Sequence, residues 1–239
     1  MMPYDPELRE RIRTNLARHE RLRLDADGLR HAAVAVVLTD SEPVDHDDPF
    51  EPGDEPLRGV PGDVADLDGR MRGVAGGAAF LLCRRAARMN RHAGQWALPG
   101  GRLDADETPI DAALRELDEE LGLRLHADSV IGFLDDYATR SGYLMTPVVL
   151  WAGDGVVISP NPDEVAHAYH IGLHELCRPD SPRFVSIPES DRPVVQIPLS
   201  GDLIHAPTGA VLLQLRWVGL EGRLNERVAH LEQPVFAWG

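Results

Sequence analysis

Apolar positions along this chain follow two rhythms, one strand-like and one helical. HAAVAVVLTD (31–40) is a short, β-branched, continuous run and predicts a buried strand; GGAAFLLCRRA (76–86) predicts a second. SVIGFLDDYAT (129–139) and YLMTPVVLWAG (143–153) predict two strands joined by the turn RSG (140–142). Residues 158–176 hold a proline-rich loop, a strand and a short helix, and 193–207 predict a hairpin about Ser200, Gly201 and Asp202. TGAVLLQLRWVGL (208–220) predicts a closing amphipathic helix. Near the start, Asp5 before Pro6 and Glu7 is an N-cap, a first-turn proline and an early acid, which predicts a helix over 6–20. Strands and helices alternate without a strict βαβ order, so the expected fold is α/β, a mixed β-sheet sandwiched between α-helices.

Composition narrows the function classes. A net charge of −15 argues against broad nucleic-acid binding, since a phosphate backbone would be repelled. Phosphorylated small molecules stay open if divalent cations bridge the two. All 24 basic residues are arginine, which reads as codon bias. Cys83 and Cys177 belong to no CxxC or Cys/His cluster, so reduced thiols are expected in place of a disulfide or zinc site. No apolar h-region opens the chain and no run approaches the ~18 residues a membrane span needs. A soluble, cytoplasmic protein without membrane or nucleic-acid partners is expected. Between Asp40 and Arg72 lie eleven acids against three arginines, with many prolines and glycines, which predicts an acidic, mobile insertion at about 40–75.

The helix over LRELDEELG (114–122) carries the chemistry. Thr108, Pro109 and Asp111 make a strong helix start, and Gly122 a good stop. Ile110, Leu114, Leu117 and Leu121 fall on one apolar stripe. Glu116, Glu119 and Glu120 stand at i, i+3 and i+4 on roughly the opposite face. Clustered carboxylates raise one another's pKa unless something neutralises them. A solvated acidic face is the plain alternative for three glutamates alone.

The frame around them is more specific. Gly101, Glu107, Arg115, Glu116, Leu117, Glu119, Glu120, Gly122 and Leu123 fit Gly-x5-Glu-x7-Arg-Glu-aliphatic-x-Glu-Glu-x-Gly-aliphatic at every fixed position. This resembles the Nudix box. The resemblance implies a Nudix fold over residues 31–239, preceded by an N-terminal helical extension over 1–30. It also implies that Glu116, Glu119 and Glu120 hold Mg²⁺ or Mn²⁺, with a carbonyl of the Gly100–Gly101 turn completing the shell. Hard cations suit such oxygen ligands. Arg115 and Glu107 are expected to pair and brace the loop against the helix. The base that activates water is left open between Glu119 or Glu120 in the box and Glu164 in PNPDEVA (160–166).

The flanks resemble one branch of that family, the coenzyme A pyrophosphatases. LLCRRAARMNRHAGQWALPGG (81–101), FLDDYATRSGYLMTPVV (133–149) and PNPDEVA carry the likeness, with Cys83 and Leu98 standing where the branch usually has Thr and Phe. Arg84, Arg85, Arg88 and Arg91 form the densest basic stretch and suit phosphate recognition, the alternative being solvation or pairing with the acidic insertion. Ser141, Gly142 and Tyr143 are further substrate-side candidates; Tyr143 and Trp96 could stack on adenine or simply pack. The leading expectation is metal-dependent cleavage of coenzyme A or acyl-CoA. A hydrolase for ADP-ribose, NADH or dinucleoside polyphosphates is the second reading, and a non-catalytic nucleotide sensor the third. The partner expected is thus a small nucleoside diphosphate derivative, with a homodimer left open.

Overall fold

The computed structural model describes residues 1–43, 57, 59–86 and 94–238. Its central strand is β1 (Arg30–Ser41), buried from Ala35 to Thr39 and at Ala32 and Ala33 because both faces of the sheet are covered. β7 (Tyr143–Trp151) runs parallel to β1, with Thr146 opposite Ala33, and β2 (Gly77–Arg85) pairs antiparallel at its far end, with Phe80 opposite Leu38. β4 (Gly100–Arg102) pairs with the near end of β1 and sets Gly101 opposite Ala33. β3 (Trp96–Ala97) and β8 (Val165–Gly172) both pair antiparallel with β2. The sheet is mixed, as expected of an α/β fold.

The stretch 129–139 differs from the single strand expected. It is two strands, β5 (Val130–Phe133) and β6 (Tyr137–Ala138), both paired with β7. The break falls where Asp135 and Asp136 turn inward. Their carboxylates accept the backbone N–H groups of Leu22 and Leu24, and Asp135 also binds the buried His19 ring at 2.8 Å. Buried charge needs such partners, so the strand gives way to them.

Helix α2 (Pro109–Leu121) covers one face, packing Ala113, Leu117 and Leu121 on Ala33, Ala35, Leu81 and Val148. The opposite face is covered by α1 (Pro6–Arg18), α3 (Leu173–Leu176), α4 (Thr208–Gln214) and a second sheet. Asp5 caps α1 as expected, accepting the Leu8 N–H at 2.8 Å, and Leu8, Ile12 and Leu16 enter the same core as Phe80 and Leu82. The second sheet has the order β11 (Asp202–His205), β10 (Ser190–Leu199), β9 (Arg183–Ile187). The β10–β11 hairpin was expected; β9 was not.

Two expectations are corrected. The helix over 208–220 is not amphipathic: all seven residues of α4 are buried, and Leu215–Leu220 continue as a π-helical turn. It lies between the second sheet and α1, so α4 keeps no solvent face and only Arg216 and Leu220 of the turn stay half-buried. The described second half of the acidic insertion is packed. Gly69 donates to the Gly201 carbonyl at 2.9 Å, Gly201 to that of Arg70 at 3.0 Å, and Met71 and Val74 are core residues. Residues 44–56 and 58 of that insertion lie outside the described residues. Among the described residues, no helix is long and apolar enough to cross a membrane.

Candidate active site

The site is built on α2, and the local sequence fixes where α2 starts and stops. The Thr108 hydroxyl accepts the Asp111 N–H at 3.3 Å, while the Asp111 carboxylate accepts the Thr108 N–H at 3.0 Å, a reciprocal capping box. Gly122 ends the helix in the left-handed conformation, at φ 62°. The three glutamates between these ends are not equivalent. The Glu119 side chain is 58% exposed, that of Glu116 only 14%, and Glu120 as a residue only 6%. A merely solvated acidic face would not bury two of its three acids.

Arg115 organises this group. Its guanidinium grips Glu107 through two hydrogen bonds of 2.8 and 3.0 Å and reaches Glu116 at 2.8 Å, Glu119 at 3.2 Å and the Arg102 carbonyl at 3.0 Å. Arg115, with the Asp104 N–H, holds the Glu107 carboxyl down at about 2. The pairing expected of Arg115 and Glu107 is therefore present, and it ties the loop after β4 to the helix.

Burial acts in the opposite sense on the other acids. Glu120 is pushed up to about 8, chiefly by loss of water and further by the charges of Glu116 and Glu164; the Arg85 charge and the Gly100 N–H, at 3.2 Å, offset only part of this. Burial also raises Glu116, with Glu119 and Glu164 adding to it and Arg115 opposing. The Gly100–Gly101 turn makes room for these carboxylates. A Cβ on Gly101 would lie 2.2 Å from a Glu116 carboxylate oxygen, so any side chain there would displace that carboxylate.

Glu164 comes from a different element. The loop 158–164 docks on the end of α2, where helix carbonyls lack intrahelical partners. Ser159 N–H donates to the Leu121 carbonyl at 2.7 Å and Asn161 N–H to that of Glu120 at 2.8 Å. On the other side, the Ala86 N–H donates to the Glu164 carbonyl at 2.8 Å, where β8 begins pairing with β2. The Glu164 charge is consequently felt by both Glu116 and Glu120.

The flanking arginines separate. Consecutive residues on a strand face opposite ways. Arg85 lies on the α2 side, its charge acting on Glu120 and Cys83, and its Nε is buried without a hydrogen-bond partner among the described residues. Arg84 points into the other layer, where it is 5% exposed, bonds Asp202 at 2.7 Å and lies 4.0 Å over the Trp96 ring. The expectation that Arg84 meets a substrate phosphate does not fit that placement. Trp96 likewise gives its indole N–H to Asp202 at 2.9 Å and packs edge-on to Tyr169. Arg88 and Arg91 lie outside the described residues. Ser141 and Gly142 lie in the β6–β7 turn and Tyr143 opens β7; Arg30 lies 4.1 Å over the Tyr143 ring and bonds the Ser141 carbonyl at 3.2 Å. Tyr143 is opposite Arg30 and Gly101 opposite Ala33, so the turn stands three β1 positions from the glycine turn.

Among the described residues, no three Asp, Glu, His or Cys side chains stand as a ready-made metal cluster. Arg115 instead spans Glu116 and Glu119. The donor set nonetheless fits a hard divalent cation: it is all oxygen, and Glu116 and Glu120 are raised by burial and mutual repulsion that a cation would relieve.

Residues 71–188 match the NUDIX domain family model. The chain is similar to a Yersinia enterocolitica protein named "Uncharacterized Nudix hydrolase NudL", at 39% identity over 100 residues, 41% of this chain and 51% of that one. A Yersinia pestis protein of the same name is 41% identical over 97 residues, covering 40% and 49%. The chain thus spans about half the length of the curated relatives it matches. Among solved structures, it is similar to the Nudix hydrolase RenU from M. smegmatis, with TM-score 0.43 and 22% identity over 84% of this chain and 91% of that one. With the complete box on α2 and the family match around it, residues 71–188 form a Nudix domain.

Proposed function

We propose that this protein is a metal-dependent pyrophosphohydrolase that splits the diphosphate of a nucleoside diphosphate derivative. The observation that carries the reading is the group of unequally buried glutamates on α2, braced by Arg115 and faced by Glu164 from a second loop. Glu116, Glu119 and Glu120, with the Gly101 carbonyl, would hold Mg²⁺ or Mn²⁺, which when bound neutralises the diphosphate and makes phosphorus a better electrophile.

The remaining steps belong to the chain. Arg85, on the α2 side and with its buried Nε unpartnered among the described residues, binds a diphosphate oxygen. Glu164, outside the box, takes a proton from water. The water oxygen bonds to one phosphorus, the bridging P–O bond breaks, and two phosphomonoesters leave. Glu107 and Arg115 keep the loop and helix in register without touching substrate.

The substrate we favour is coenzyme A or acyl-CoA, giving adenosine 3′,5′-bisphosphate and (acyl-)4′-phosphopantetheine. Its support is the likeness of residues 81–101, 133–149 and 160–166 to that branch, together with Arg85 on the site side. Two unpaired thiols, buried Cys83 and exposed Cys177, support a cytoplasmic setting. Offering coenzyme A, ADP-ribose, NADH and diadenosine polyphosphates in parallel, with products identified by mass spectrometry, tests the reading. Adenosine 3′,5′-bisphosphate from coenzyme A is expected; turnover of another diphosphate alone would keep the reaction and overturn the substrate.

A further inference from the structure

The loop that delivers Glu164 reads PNPDE, and one residue in it does most of the fastening. Pro160 and Pro162 have no backbone N–H, so Asn161 is the sole main-chain donor of that tripeptide. It gives that donor to the carbonyl of Glu120, the most buried glutamate of α2. Its own carbonyl accepts the Glu164 N–H at 3.1 Å and the Val165 N–H at 2.9 Å. Its side-chain oxygen accepts the Asp163 N–H at 3.1 Å. A proline on each side fixes φ and restricts Asn161 to extended backbone, so little slack remains.

We propose that Asn161 is the positioning residue of the site, coupling Glu164 to Glu120 through one three-way junction of hydrogen bonds. The inference rests on the reading that Glu164 is the base that takes the proton from water. Asn161 touches no reacting atom. Its main-chain N–H reads the position of α2, while its carbonyl and side-chain oxygen shape the turn that aims Glu164. The side-chain oxygen is the part that mutation can remove, and Asp retains it while Ala does not.

The test uses the full chain with Mg²⁺ and the diphosphate substrate found by the parallel assay. Asn161→Ala, Asn161→Ser, Asn161→Asp and Glu164→Gln are compared for kcat, KM, thermal unfolding and amide hydrogen exchange at 163–165. Losing one turn-closing hydrogen bond beside a reacting group should lower kcat about tenfold in Asn161→Ala. KM should stay within about twofold, as expected where only the chemical step is affected. Exchange at 163–165 should quicken, Asn161→Ser should fall between, and Asn161→Asp should restore kcat and slow exchange. A merely structural role would instead lower the unfolding temperature without separating kcat from KM. Wild-type kcat and exchange in Asn161→Ala, with Glu164→Gln inactive, would overturn the positioning role and leave the base assignment standing. Wild-type kcat in Glu164→Gln would overturn the base assignment and the positioning role with it. If Asn161→Ala does not fold, Asn161→Ser decides: a lowered kcat rescued by Asp supports the proposal, and a wild-type kcat overturns it.

Discussion

Arg115 holds Glu107 by two hydrogen bonds of 2.8 and 3.0 Å, one to each carboxylate oxygen, and the same guanidinium reaches Glu116 at 2.8 Å. A planar fork of five donors can hold a loop acid bidentately and reach a helix acid at once; an ammonium, with three donors and no fork, cannot reproduce that set. Arg115→Lys and Glu107→Gln are therefore expected to lower kcat/KM by about tenfold or more, because the loop carrying Gly101 loses its register with the helix. Steady-state kinetics beside a thermal melt checks this: the rate should fall far more than the melting temperature.

Gly101 gives a sharper steric test. A methyl group there would overlap the Glu116 carboxylate at 2.2 Å, whereas the backbone of Gly101 is not in the left-handed region. Gly101→Ala should leave the fold intact but push Glu116 aside, with a loss of about a hundredfold in turnover. Mn²⁺ affinity measured by electron paramagnetic resonance should weaken in parallel.

For Arg84 the expectation is structural. Its pair with Asp202 has side chains only 6% and 9% exposed, so Arg84→Ala strands a buried carboxylate. Breaking such a pair costs about 3–5 kcal/mol. Urea unfolding of Arg84→Ala should show that loss, and Arg84→Met with Asp202→Leu should recover much of it. The folded fraction of Arg84→Ala should treat coenzyme A and dephospho-coenzyme A alike.

Glu232 supplies a pH dependence away from the site. Burial alone would raise its carboxyl; hydrogen bonds from Arg140, Ser190 and the Gln233 N–H outweigh that and hold it at about 2. A depressed folded pKa means the unfolded chain binds the proton first. The contribution is complete above the ordinary carboxylate range and is lost as pH falls from about 4.5 through about 2. It amounts to at most about 3 kcal/mol. Denaturation midpoints of wild type and Glu232→Gln should converge across that window on acidification.

Much of the site could be read from residues close together in the chain. Thr108, Asp111 and Gly122 set the limits of α2, and the spacing of Glu107, Arg115 and the three glutamates set the box, because capping and i, i+3, i+4 contacts are local. The strands β1, β2 and β7 were legible for the same reason. What failed depended on distant partners. Arg84 and Asp202 are 118 residues apart, and His19 and Asp135 are 116 apart, so neither pair had a local signal. The split between Arg84 and Arg85 was available from strand alternation, since two adjacent residues of β2 cannot both face α2. β9 was missed although its residues alternate between half-buried and exposed, as an edge strand's do. The burial of α4 on every side depends on a second sheet that its own sequence does not announce.

The most direct test of the account is diphosphate turnover by wild type and Glu120→Gln, each with Mg²⁺ and with excess EDTA. If the α2 carboxylates hold the catalytic cation, wild type turns over only with Mg²⁺. Glu120→Gln should then lose about a hundredfold or more while melting no lower than wild type. Turnover that persists in EDTA, or a folded Glu120→Gln at wild-type rate, would contradict the metal site and the reaction built on it.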